Sequence, residues 1–245
     1  LKRSGFSIVM TEIAVPTTVR RTVAFSRAIY EKEVRVEDIQ AEFAQDLDDL
    51  ERILTCEKIA VIVDPHAQII SQWKPDIVVD AILAKKNLGT HIKDAPIVIA
   101  LGPGFTAQKD CHAVVETMRG HFLGKVYYEG NALPNTGIPG EIGGYTKERI
   151  IRAPAKGVFQ PIVSIGDSVK QGDTVGFVDE CPVQVQLSGI VRGLLQPGVF
   201  VTAGMKAGDV DPRCKREYCF SVSDKSRSIG GGVLEAILHQ KQSNI

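Results

Sequence analysis

"KGVFQPIVSIGDSVKQGDTVG", residues 156–176, can be laid over "SGIVRGLLQPGVFVTAGMKAG", residues 188–208, at a constant offset (189 − 157 = 32). Gly157, Gly166, Gly172 and Gly176 then fall on Gly189, Gly198, Gly204 and Gly208, while Val158, Ile162, Val163 and Val169 fall on Ile190, Leu194, Leu195 and Val201. Coincident glycines with matching apolar positions mark an internal repeat. Each copy reads as an apolar strand, a G-D-x-V-x-x-G turn or a variant of it, and a second apolar strand. Glycine suits such turns because it reaches positive φ without a Cβ clash.

Upstream the rhythm is different. "FSIVMTE", "KIAVIVDP", "DIVVDA" and "APIVIALGPG" are continuous apolar runs bounded by turn residues, the pattern of strands buried on both faces of a mostly parallel sheet. Between them "VRVEDIQAEFAQDLDDLERILTC" spaces Ile39, Phe43, Leu47, Leu50 and Leu54 by three and four residues, as an amphipathic helix does. The expected fold class is α/β: a Rossmann-like, mostly parallel sheet domain over residues 1–149, then a small all-β repeat barrel over 150–212. A segment and helix over 213–245 pack back on the first domain. The chain opens "LKRSGFSIVMTE", without a starting Met, so a first strand and its glycine loop are expected to precede Leu1.

The repeat resembles the biotinyl and lipoyl carrier fold, a flattened barrel-sandwich of two interlocked sheets entered by "RAPAKGVF". Carriers present a lysine at the hairpin between the copies. Here the connection is "VDECPVQVQ", without lysine, which argues against covalent biotin or lipoate.

Composition narrows the partners. Lys plus Arg equals Asp plus Glu at 29 each, so no net field draws the chain to nucleic acid or an anionic membrane. The hydrophobic fraction of 44% is ample for a buried core, yet no apolar run approaches the roughly 18 residues that span a bilayer. Five scattered cysteines without a C-x-x-C pair disfavour a disulfide framework and a thiolate zinc site, and fit a cytoplasmic protein with reduced thiols.

Candidate site residues cluster in "ALGPGFTAQKDCHAVVETMRGH", residues 100–121. A glycine turn after a strand, running into a helical pattern through Cys111, Val114, Val115 and Met118, is a place for an anion; Gly102, Gly104 and Phe105 would line it. The alternative is a plain strand-to-loop turn. Cys111 and His112 could form a thiolate nucleophile, with Asp110 beside them, although adjacent side chains point apart. Glu12, at the tip of the first strand, suits a ribose hydroxyl; Arg20 and Arg21 suit a phosphate. Asp64 and Asp80 end two further strands and read equally as helix caps. Lys225 stands with Gly230 to Gly232 at the terminal helix, a second place for an anion or a close packing contact.

"VMTEIAVPTTVRRTVAFSRAIYE", the segment from "GPGFTAQKDCHAVVETMRGH" to "GGYTKERIIRAP", and "DKSRSIGGGVLEAIL" together resemble the YqeB-like family of accessory proteins for selenium-dependent molybdenum hydroxylases. The resemblance implies a bacterial, cytoplasmic maturation role with a molybdenum hydroxylase as partner. It also implies a ligand, a molybdopterin-type cofactor or a dinucleotide, held between Glu12, Arg20 and Arg21 on one side and Gly102, Gly104, Asp110, Cys111 and His112 on the other. Family members open with a strand and a "GAGD"-like loop that this sequence lacks. Two further readings stay open: an NAD(P)-dependent oxidoreductase, and a non-catalytic interaction scaffold. Neither turnover nor a homo-oligomer is decided by the sequence.

Overall fold

The computed structural model describes residues 1–243. The chain divides into two compact units, one built from residues 66–140 and the chain from 223 onward with Leu1, the other from 2–65 and 141–222. Neither follows the sequence boundaries at 149 and 212, because the N-terminal stretch closes onto the repeat: Leu194 N donates to Val19 O at 2.7 Å.

The larger unit begins with β1 (Val9–Glu12), α1 (Ala28–Glu31), β2 (Glu33–Val36), β3 (Ile39–Ala44), α2 (Leu47–Thr55) and β4 (Ile59–Val63). The sheet order is β1-β4-β3-β2, with β4 parallel to β1 and β3 and with β2 and β3 antiparallel. The single helix expected across "VRVEDIQAEFAQDLDDLERILTC" is therefore a hairpin followed by a shorter helix. Val34 and Val36 are buried while Glu33 and Arg35 are exposed, a period of two that wins over the three-and-four spacing. The chain turns at Glu37, whose φ is +54°. α2 starts only where the Asp46 side chain caps it, accepting from Asp49 N at 2.9 Å.

The smaller unit holds α3 (Ile69–Trp73), β5 (Ile77–Asp80), β6 (Ile97–Leu101), β7 (Ala113–Val115), β8 (Val126–Tyr127) and α4 (Asp224–Ser243). Its sheet runs β5-β6-β7-β8, the first three strands parallel and β8 antiparallel to β7. The helical pattern expected through Cys111 to Met118 is strand β7, preceded by a tight loop in which Asp110 Oδ2 accepts from Thr106 N at 2.8 Å. Gly232 of α4 and Gly124 explain part of the terminal glycine run: a Cβ on Gly232 would meet Gly124 O at 2.3 Å. Side chains there would push the helix off the sheet.

The repeat forms β9 (Ile150–Arg152), β10 (Gly157–Pro161), β11 (Ser168–Val169), β12 (Thr174–Val178), β13 (Cys181–Gln184), β14 (Gly189–Leu194), β15 (Phe200–Val201) and β16 (Lys206–Asp211). They make two four-stranded sheets, β13-β12-β10-β15 and β11-β14-β16-β9. Every pairing in them is antiparallel, and each copy's short strand pairs with the long strand of the other copy. Phe159, Val175, Val178, Val191, Leu194, Leu195, Val201 and Val210 share the resulting core.

The expected fold class does not hold. The runs assigned to one Rossmann-like sheet are split between two small mixed sheets in different units, each closed by an antiparallel strand, so no continuous doubly wound sheet exists. The repeat is not a self-contained biotinyl- or lipoyl-like barrel-sandwich either: β9 extends one of its sheets, and Val19 and Arg21 bond to the end of β14. Among the described residues no helix is long and apolar enough to cross a membrane.

Candidate anion-binding site

The carboxyl ends of the parallel strands β5, β6 and β7 are built by loops that the chain itself holds closed. At the tip of β5, Asp80 accepts from Ile82 N at 3.0 Å and from Thr90 Oγ1 at 2.6 Å. Asn87 Oδ1 accepts from the backbone of Gly89 and Thr90. Between them Leu83 and Lys85 sit in the left-handed region, with φ of +60° and +66°. Such strain persists only where the surroundings impose it.

At the tip of β6 the glycine turn serves this loop. Gly104, at φ +108°, lies so close that a Cβ would meet Lys86 Cα at 2.5 Å, and a Cβ on Gly102, at φ +78°, would meet Thr117 Oγ1 at 2.5 Å. The glycines permit the loops to pack against each other and so fix Lys85 and Lys86 at the strand ends. After β7, the fully buried Glu116 accepts from the backbone N–H groups of Thr117, Met118 and Leu133, each at 2.8 Å. That carboxylate sets the course of the next loop, on which Arg119 lies.

α4 begins at the same strand ends. Arg119 makes a bidentate pair with Asp224, at 2.7 and 2.9 Å, and Ser223 Oγ accepts from Ser226 N. Burial, then the neighbouring Lys85 and Arg119, holds the Lys225 ammonium below the usual lysine range, with Glu116 and Asp224 acting in the opposite direction. Lys85 and Lys225 form no ion pair among the described residues, whereas Arg119 has its carboxylate. Lys85 and Lys225 thus bring two ammonium groups that belong to no ion pair among the described residues to the carboxyl edge of a parallel sheet.

Of the residues picked from sequence, Gly102, Gly104 and Lys225 belong to this site, and Phe105 lies beneath it in the core with Ala107, Cys111 and Val114. Cys111 is fully buried, and desolvation together with Asp110 pushes its thiol up to about 12, so it behaves as an apolar side chain rather than a nucleophile. His112 completes a strand edge: its N donates to Val98 O at 2.8 Å, and its Nδ1 accepts from Val98 N at 2.9 Å. That bond leaves the ring proton on Nε2.

Glu12, Arg20 and Arg21 lie in the other unit. Glu12 Oε1 accepts from Ile13 N. Arg20 donates to Tyr218 O and Ser221 O; Arg21 donates to Leu194 O and Gln196 Oε1, each at 2.7 Å. Sequence reasoning missed Lys85, Arg119 and Glu116. The lysine pair behind the β5 tip was the available signal for the first; no spacing rule foretells a buried carboxylate such as Glu116.

No family model matches the chain. It is 50% identical over 238 residues, 97% of its length, to the "Uncharacterized protein YqeB" of Escherichia coli (strain K12), and spans 44% of that protein. The chain is thus similar to that protein over nearly its own length and spans less than half of the relative's. Solved structures similar to it include an aspartoacylase family protein from Mesorhizobium loti, at 12% identity and TM-score 0.26, covering 84% of this chain and 85% of that one. A succinylglutamate desuccinylase from a Silicibacter species stands at 12% identity and TM-score 0.24, with 83% and 84% covered. A succinylglutamate desuccinylase/aspartoacylase from Rhodobacter sphaeroides is 29% identical over 26% of this chain and 22% of its own, at TM-score 0.24. At such scores the likenesses carry no argument.

Proposed function

We propose that this YqeB-like chain is part of an accessory protein for the maturation of a selenium-dependent molybdenum hydroxylase. In this reading its smaller unit holds a phosphate-bearing cofactor, of molybdopterin or dinucleotide type. The maturation role rests on the resemblance of the quoted sequence motifs to the YqeB-like accessory family; the relative of 50% identity is itself named as uncharacterized. The binding role rests on one observation: Lys85 and Lys225 stand without carboxylate partners at the ends of three parallel strands, and burial and like charge make Lys225 costly to keep protonated until an anion arrives. A phosphate oxyanion would relieve both penalties at once. The chain's own part is to bind and orient the ligand; Cys111 and His112 supply packing and a strand edge, not nucleophilic chemistry.

The test is to purify the protein gently, denature it and identify released small molecules by mass spectrometry. A phosphate-bearing cofactor present in the wild type and lost in Lys85→Gln/Lys225→Gln supports the reading. A cofactor retained by that variant, or a wild type that releases none, contradicts it.

A further inference from the structure

The larger unit carries a second feature that the proposed function does not use. An open groove of about 460 Å³ is lined by Arg21 and Arg27 and by Ile162, Val163 and Pro197 among others. That volume is within the ~300–1,000 Å³ of small-molecule sites. One wall is apolar, and on it Ile162 is 61% exposed, a large aliphatic side chain left in water. The other wall carries two guanidinium groups. Arg27 Nε pairs with Glu31 at 3.1 Å, while Arg21 uses a carbonyl and an amide oxygen and has no carboxylate partner among the described residues. Burial, and then Arg27, counts against the Arg21 charge, and Glu31 favours it. The groove therefore holds one more cation than its single neighbouring carboxylate neutralises.

The repeat shows what such a position looks like when it is covered. Ile162 N donates to Val175 O as Leu195 N donates to Ala207 O, so Ile162 answers to Leu195. The sequence offset of 32 pairs Ile162 with Leu194 instead; the bulge between Val191 and Gly193 shifts the match by one residue. Leu194 and Leu195 are 0% exposed, Leu194 bonded through its backbone to Val19 and Arg21. Leu195 thus lies in the shared core, whereas its counterpart Ile162 is bare beside Arg21.

We propose that this groove binds a small organic anion with an apolar body, its acidic group on Arg21 and Arg27 and its body against Ile162, Val163 and Pro197. Guanidinium forks suit a carboxylate or phosphate in two-point contact. An apolar body would cover the aliphatic surface now exposed.

The probes are phenyl phosphate, inorganic phosphate and phenol, each titrated calorimetrically into the whole chain. Phenyl phosphate is expected to bind at a saturable site that survives Lys85→Gln/Lys225→Gln, at least tenfold more tightly than either fragment. Arg27→Gln should weaken it about tenfold. Ile162→Ser should weaken it severalfold while leaving inorganic phosphate unchanged, and, as a surface change, without shifting the melting temperature. Lys85→Gln/Lys225→Gln should leave phenyl phosphate binding intact, which separates this site from the one proposed above. Absence of saturable binding, binding indifferent to both groove variants, or binding lost in the lysine variant would overturn the proposal.

Discussion

The two copies of the repeat share their turns and differ in what covers them. Gly166 and Gly198 have φ of +104° and +83°, and Gly172 and Gly204 have +91° and +80°, so equivalent glycines take equivalent left-handed turns. The outer surfaces part company. In the first copy Val158, Ile162 and Phe177 are exposed; in the second, β14 is buried along its whole length and Asp209 and Asp211 are buried beside it. The bulge between Val191 and Gly193 marks the divergence. It turns in Arg192, which pairs with Asp211 at 3.5 Å, and it sets Gly193 where a Cβ would meet Asp209 Oδ1 at 2.6 Å and Val19 O at 3.1 Å. Both copies supply the shared core, but outer positions bare in the first copy, Val158 and Ile162, have buried counterparts in the second, Ile190 and Leu195.

The largest expected effect comes from the buried ion pairs of the second copy. Asp211 carries both Arg192 and Arg213, so Asp211→Ala should cost about 3–5 kcal/mol, because it strands a buried guanidinium. The counterpart Asp179→Ala removes an exposed acceptor from Val158 N and should cost about 1 kcal/mol. Urea unfolding of the two variants checks this, and equal losses would break the contrast. Next, Leu195→Ala, at a fully buried position, should cost about 3 kcal/mol, and its counterpart Ile162→Ala less than about 0.5 kcal/mol; an Ile162 cost near that of Leu195 would mean that the groove is closed in solution.

A smaller effect is the acid response. Burial pushes the Asp211 carboxyl up, but hydrogen bonds from Arg213 and the charge of Arg192 outweigh it and leave the group below the usual carboxylate range. Its stabilisation is then complete above the unfolded value near ~3.9 and is lost as pH falls through the lower folded value. Asp211→Asn should flatten that part of the stability curve. Finally, without any stability change, a thiol reagent should label Cys56, Cys181 and Cys214 at once and leave Cys111 and Cys219 untouched until unfolding. Cys219 lies against Val191 of the second copy, its Sγ 3.7 Å from that carbonyl. Rapid labelling of Cys219 would show that the second copy's cover opens.

The sequence made the repeat legible because glycine spacing reports turn geometry directly, and it made β1, β4, β5 and β6 legible because each is a continuous apolar run. It did not show into which sheet each run goes, since a buried parallel strand looks alike in any sheet. Val34 and Val36 could have exposed the β2–β3 hairpin, but the acidic residues around them imitate a helix face. At the site, Gly102, Gly104 and Lys225 stood out through glycine chemistry and charge. Lys85 is brought to them by tertiary contacts, the backbone of Lys86 on Gly104, which local spacing does not encode. Cys111 was legible as a reactive type but not as a buried one, because its burial is decided by Phe105, Val98 and Ala132 packing in the same cluster.

The central claim is that the smaller unit binds a phosphate group at Lys85 and Lys225. Its most direct test is a calorimetric titration of inorganic pyrophosphate into the wild type and Lys85→Gln/Lys225→Gln, repeated across alkaline pH. The prediction is a saturable site that the lysine variant weakens at least tenfold and that Arg27→Gln leaves unchanged. Wild-type affinity should also fall as pH rises through the lowered Lys225 value, earlier than for an ordinary lysine. No saturable binding, or equal affinity in wild type and variant, would contradict it.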